Sequence, residues 1–113
     1  MKVVILDEKK KRKQQIEDLC DEKGYDVVAC SATGDFMEVI ETTSPDTILM
    51  DVESWQHGKP MYIYFRFSKK LDDIPIFFYN APENFSNIND RTQNQQDKVF
   101  HKHTEIDEVV SSL

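Results

Sequence analysis

Four ionisable residues in this 113-residue chain fall where a phosphoryl-transfer centre would need them: Asp7, Glu8, Asp51 and Lys102. Asp51 closes the apolar run Thr47-Ile48-Leu49-Met50, and Asp7-Glu8 close the run Val3-Val4-Ile5-Leu6. Lys102 follows Val99-Phe100-His101. Three carboxylates brought to one edge would repel each other by several kcal/mol at an effective dielectric of about 20. A hard divalent cation removes that repulsion, and Mg²⁺ takes one or two carboxylates together with water and phosphate oxygens. A lysine ammonium is a point-charge donor suited to a phosphate oxygen. A carboxylate nucleophile, a metal and a lysine are the parts from which an aspartyl-phosphate is made. Each part also has a plainer role. Asp51 alone is a turn or N-cap residue, Asp7-Glu8 an acidic first helical turn, and Lys102 a solvated side chain.

The elements that must position these residues follow from apolar spacing. Val3 to Leu6 is β-branched at three of four positions, which suits a strand buried on both faces of a parallel sheet. Ile16, Leu19 and Cys20 stand at i, i+3, i+4 and predict an amphipathic helix, stopped by Gly24 as its C′ residue. Tyr25 to Cys30 is a second strand. Thr33-Gly34-Asp35 opens a helix with Phe36, Val39 and Ile40 on one face, ended at Ser44-Pro45. Thr47 to Val52 is a third strand and Ser54 to Lys59 a polar loop. Met61 to Lys70 is assigned to a helix by its place between strands, although its aromatics favour a strand. Ile74 to Tyr79 is a fourth strand, and residues 83–97 offer a fourth helix little to bury. Val99 to His101 is a fifth strand, and Glu105 to Leu113 a closing helix. Alternation of this kind predicts an α/β fold: a flavodoxin-like, doubly wound, five-stranded parallel sheet of order 2-1-3-4-5 with helices on both faces. Ligands in such sheets bind beyond the carboxyl ends of the strands at the switch point, between the first and third strands.

The bulk properties narrow the class. The length predicts one domain, residues 1–113, with no linker or attached output domain. A net charge of −7 argues against a nucleic-acid partner. Cys20 and Cys30 lack C-x-x-C spacing, so reduced thiols and a cytoplasmic location are expected. No stretch approaches the roughly 18 apolar residues of a membrane span, and no signal peptide precedes Asp7. Lys9 to Lys13 holds five of the 14 basic residues. It is expected to be a solvated face of the first helix that partly balances the acidic pocket, and it would suit an acidic partner. His101 and His103 flank Lys102 without a third ligand nearby, so no second metal site is expected. Trp55, beside Asp51, could anchor a partner or lid the pocket. The aromatics of residues 62–67 belong mainly to the core, with a homodimer surface as the other use.

With these residues and this order of elements, the chain resembles a bacterial two-component response-regulator receiver domain along essentially its whole length. The segment Pro45-Asp46-Thr47-Ile48-Leu49-Met50-Asp51-Val52 carries the most specific match. Val4-Ile5-Leu6-Asp7-Glu8, Gly24-Tyr25-Asp26-Val27-Val28, Asp73-Ile74-Pro75-Ile76 and Phe100-His101-Lys102 add to it. The resemblance implies that Asp7, Glu8 and Asp51 hold Mg²⁺, that Asp51 receives a phosphoryl group and that Lys102 contacts it. It implies a histidine kinase or phosphotransfer protein as donor, a downstream protein partner, and at most self-catalysed phosphoryl transfer and dephosphorylation. The departures fall on the readout. Asn80 stands where the family has Ser or Thr, and Val99 falls on the aromatic switch position, with Phe100 on the opposite face. His103 replaces a proline, Ser54-Trp55 replaces Met-Pro, and Glu8 replaces the commoner Asp. Two functions follow. One is a stand-alone receiver phosphorylated on Asp51, which the acidic pocket favours. The other is a phosphorylation-independent interaction module, which Asn80 and Val99 favour.

Overall fold

Val3 to Leu6 forms an interior strand of the sheet because nothing in it asks for water: all four side chains are completely buried. This strand, β1 (Lys2–Leu6), pairs in parallel with β2 (Asp26–Cys30) on one side and β3 (Thr47–Asp51) on the other. Then β4 (Ile76–Ala81) pairs with β3, and β5 (Lys98–His101) with β4, both in parallel. The order is β2-β1-β3-β4-β5. The helices are α1 (Lys10–Glu22), α2 (Thr33–Thr43), α3 (Val52–Gln56) and α4 (Ile106–Ser111). This computed structural model describes residues 1–31, 33–56, 74–83 and 97–113.

Side chains alternate across each strand, so the sheet has two apolar faces. Val4, Leu6, Ile48, Met50, Ile76 and Phe78 pack with Phe36 and Ile40 of α2. Val3, Ile5, Leu49, Phe77 and Tyr79 pack with Ile16 and Cys20 of α1 and Val109 and Val110 of α4. Each such Ile, Leu or Phe contributes about 1.5–3 kcal/mol through removal from water. The doubly wound α/β prediction is realised, and the switch point between β1 and β3 sets Asp7 beside Asp51.

The helix ends follow local chemistry. Gly24 has φ +77°, its N–H donates to the Asp21 carbonyl, and Tyr25 N–H donates to the Cys20 carbonyl. That pair of bonds is a Schellman C-cap, as the glycine predicted. Ser44 ends α2 at φ +48° ahead of Pro45. One expectation is corrected. The third strand stops at Asp51 instead of Val52, and α3 takes the first residues of the predicted Ser54–Lys59 loop. The cause is Asp51 itself, whose Oδ2 accepts the Ser54 N–H at 3.2 Å as an N-cap does for the third residue of a helix. The fourth strand lies two residues later than expected, and its pairing with β5 shifts register between Phe78 and Ala81. The helix expected over Met61–Lys70 lies outside the described residues. So does the expected 83–97 helix, except for Glu83 and Asp97.

Candidate functional site

Asp7 and Asp51 end adjacent strands with their side chains turned inward, 0% and 1% exposed. Two buried carboxylates this close need a cation between them. The cation present is Arg12, in the first turn of α1. Its Nε and NH2 reach Asp7 Oδ2 and Oδ1 at 2.5 and 2.8 Å, and the same NH2 lies 3.0 Å from Asp51 Oδ2. The guanidinium thus grips Asp7 with both prongs and bridges to Asp51 with one. Its Cζ sits 5.6 Å from the centre of the Tyr79 ring, a cation–π contact on a largely desolvated surface. Burial works against its charge. The hydrogen bond and charge of Asp7 and the charge of Asp51 outweigh that, so its pKa is raised further above the ordinary arginine value.

Neutral donors complete the cluster. Tyr79 Oη donates to Asp7 Oδ2 at 2.7 Å, and Lys9 N–H donates to Asp7 Oδ1 at 2.8 Å. Ser54 Oγ donates to Asp51 Oδ2 at 2.7 Å and Asn80 Nδ2 to Asp51 Oδ1 at 2.8 Å. Asn80 reaches it because the backbone there is left-handed, φ +58°, within the register shift of β4. Asparagine tolerates that conformation, and such an irregularity turns a side chain out of the strand's alternation. Burial, and then the neighbouring Asp7 charge, push the Tyr79 phenol well above its ordinary pKa, so it remains a donor.

The other predicted residues stand apart from this pair. Glu8 is exposed, and its backbone N–H donates to Ser54 Oγ at 3.0 Å. Lys102 follows β5, and its Nζ pairs with Glu53 Oε1 at 3.2 Å, both half-exposed. His101 and His103 stack with ring centres 6.4 Å apart. Val99 packs on the α2 face of the sheet, and Phe100 on the opposite face beside Phe77. The side chain of Trp55 lies outside the described residues.

Asp7 and Asp51 already face a guanidinium, and among the described residues no three His, Cys, Asp or Glu side chains converge as a metal cluster. Arg12, Tyr79 and Ser54 were the residues missed. A signal for Arg12 did exist: positions 12, 16 and 20 form one i, i+4, i+8 stripe, and both Ile16 and Cys20 are buried.

No family model matches the chain, and no curated protein matches it. Solved structures do. A two-component response regulator from Clostridium difficile aligns with TM-score 0.75 and 16% identity over 98% of this chain and 90% of that one. A chemotaxis response regulator of Vibrio cholerae aligns with TM-score 0.78 and 14% identity over 98% and 93%. A signal receiver domain of a two-component histidine kinase from Clostridium thermocellum aligns with TM-score 0.75 and 15% identity over 98% and 92%. The chain has the response-regulator receiver fold along nearly its whole length.

Proposed function

We propose that the chain is a signal-transduction module of the receiver type that works through protein–protein contact, with Asp51 as a structural pivot of the pocket instead of a phosphoacceptor. The observation that carries this is the engagement of both oxygens of the buried Asp51 carboxylate by the protein's own donors. Its Oδ2 takes Ser54 Oγ, Ser54 N–H and Arg12, its Oδ1 takes Asn80, and the side chain is 1% exposed. Phosphoryl transfer needs an oxygen lone pair in line with the donor phosphorus and cations to neutralise the transferred group. Freeing Asp51 costs hydrogen bonds to a charged group, about 1.5–3 kcal/mol each. No helix among the described residues is long and apolar enough to cross a membrane, and the −7 charge disfavours nucleic acid. The partner expected is therefore a protein.

One arrangement favours a second reading, in which Asp51 accepts a phosphoryl group from a histidine kinase or phosphotransfer protein. Asp7 and Asp51 end neighbouring strands, and Lys102 stands by Glu53, two residues beyond Asp51. The two-component names of the structural neighbours agree with it. Intact-mass measurement after incubation with Mg²⁺ and acetyl phosphate separates the readings. Wild type is expected to gain no phosphate. A gain of one phosphate, lost in Asp51→Asn, would establish the second reading and overturn the first.

A further inference from the structure

We infer that Arg12 is the pocket's own cation, occupying the place between Asp7 and Asp51 that a divalent ion would need, so that the domain neither requires nor binds Mg²⁺. The inference deepens the function just proposed and rests on the same account of Asp51.

Three features support it together. The first is capacity. An ionised carboxylate offers about four lone-pair sites. Asp7 has donors from Lys9, Tyr79 and both prongs of Arg12, and Asp51 has donors from Arg12, Asn80 and the N–H and Oγ of Ser54. The lone pairs a metal would use are largely committed. The second is geometry. Mg²⁺ demands near-octahedral oxygens at about 2.0–2.1 Å and keeps several waters. A guanidinium bonded at 2.5, 2.8 and 3.0 Å to three of the four oxygens fills that space. The third is anchorage. Arg12 projects from a helix whose stripe is pinned by buried Ile16 and Cys20, and the Tyr79 ring lies beside its charged end. The fork is held in place by packing as well as by charge, and its positive charge is permanent where a metal's is conditional on concentration.

This makes the substitution reversible by design. Removing the guanidinium leaves two buried carboxylates facing each other without their cation, and a divalent ion can then take its place. Titration of the full chain with Mn²⁺, followed by calorimetry, and urea unfolding with and without Mg²⁺ test this. Wild type is expected to bind no Mn²⁺ at millimolar concentration and to keep one urea midpoint whatever the Mg²⁺. Arg12→Met is expected to unfold at lower urea, to recover with Mg²⁺, and to bind one Mn²⁺ at least about tenfold tighter than wild type. Asp51→Asn on that background should abolish the gain. If Arg12→Met is unfolded without metal, folding on Mg²⁺ addition is read by circular dichroism. Arg12→Lys, which keeps a charge but loses the fork, should bind Mn²⁺ more weakly than Arg12→Met. Mn²⁺ binding by wild type equal to that of Arg12→Met would overturn the inference, and so would folded Arg12 variants that bind none. A wild type that gains phosphate yet binds no Mn²⁺ would overturn the proposed function alone. One that binds Mn²⁺ without gaining phosphate would overturn this inference alone.

Discussion

Tyr79 looks like a core aromatic and behaves as half of a polar pair. Its ring belongs to the apolar face under α1, while its hydroxyl donates to Asp7 Oδ2 at 2.7 Å. Tyr79→Phe keeps the packing and removes one donor from a buried carboxylate, a loss of about 1–3 kcal/mol. The pH dependence has a definite sign. Burial, and then the Asp7 charge, raise the folded-state pKa well above the ordinary value. In the unfolded chain the phenol ionises near pH ~10. Above that pH the unfolded wild type releases a proton that the folded form retains, so stability present below pH ~10 is lost as pH rises through the folded pKa. The advantage of wild type over Tyr79→Phe should therefore hold from pH 8 to about 9.5 and shrink above about 10 in urea unfolding. A difference that stays constant to higher pH would contradict this account of the hydroxyl.

At the scale of elements, legibility followed the size of the local signal. The cap at Gly24 and the stop at Ser44-Pro45 were visible because each joins a recognisable residue to an apolar stripe long enough to count. Gly24 has φ +77°, and a Cβ there would meet nothing within 4 Å. Gly24→Ala should thus cost about 1 kcal/mol from left-handed backbone alone, with Gly24→Asn costing less. Urea midpoints check the order, and an alanine variant as stable as wild type would refute it. Helix α3 was not legible, since five residues show no period. Asp51 was singled out for chemistry, while the capping bond to Ser54 that starts α3 is the commoner use of an aspartate after a strand. Strand ends gave Asp7 and Asp51 because a parallel sheet brings them together. Arg12 stayed hidden inside a run of lysines, because patterns built on apolar residues pass over a partly buried cation. Glu53 as the partner of Lys102 depended on where α3 begins, which the sequence did not display.

For the whole molecule, the two cysteines report on whether both faces of the sheet open together. Cys20, on the buried face of α1, belongs to one apolar cluster, and Cys30, at the end of β2, belongs to the other, which α2 covers. Burial pushes the Cys20 thiol up to about 11, with Asp21 adding to it. Burial and then Asp35 raise Cys30. The thiolate is the species that alkylates, so both should react slowly in the folded domain at pH 8 and rapidly in urea. The folded pKa values lie above the unfolded value of ~8.5. Stability linked to these thiols is thus complete below that pH and declines as pH climbs toward the folded values. β1 and β3 contribute side chains to both clusters, Val4 and Ile48 to one face and Ile5 and Leu49 to the other. Exposing either face fully means separating strands that the other face also needs. A single cooperative unit predicts equal opening free energies for Cys20 and Cys30, each matching the urea-derived value, when labelling is slow relative to closing. Mass spectrometry of alkylated protein against time resolves the two sites. If Cys30 labels much faster than Cys20, the β2–α2 side opens alone, and the sheet is less cooperative than its shared central strands require.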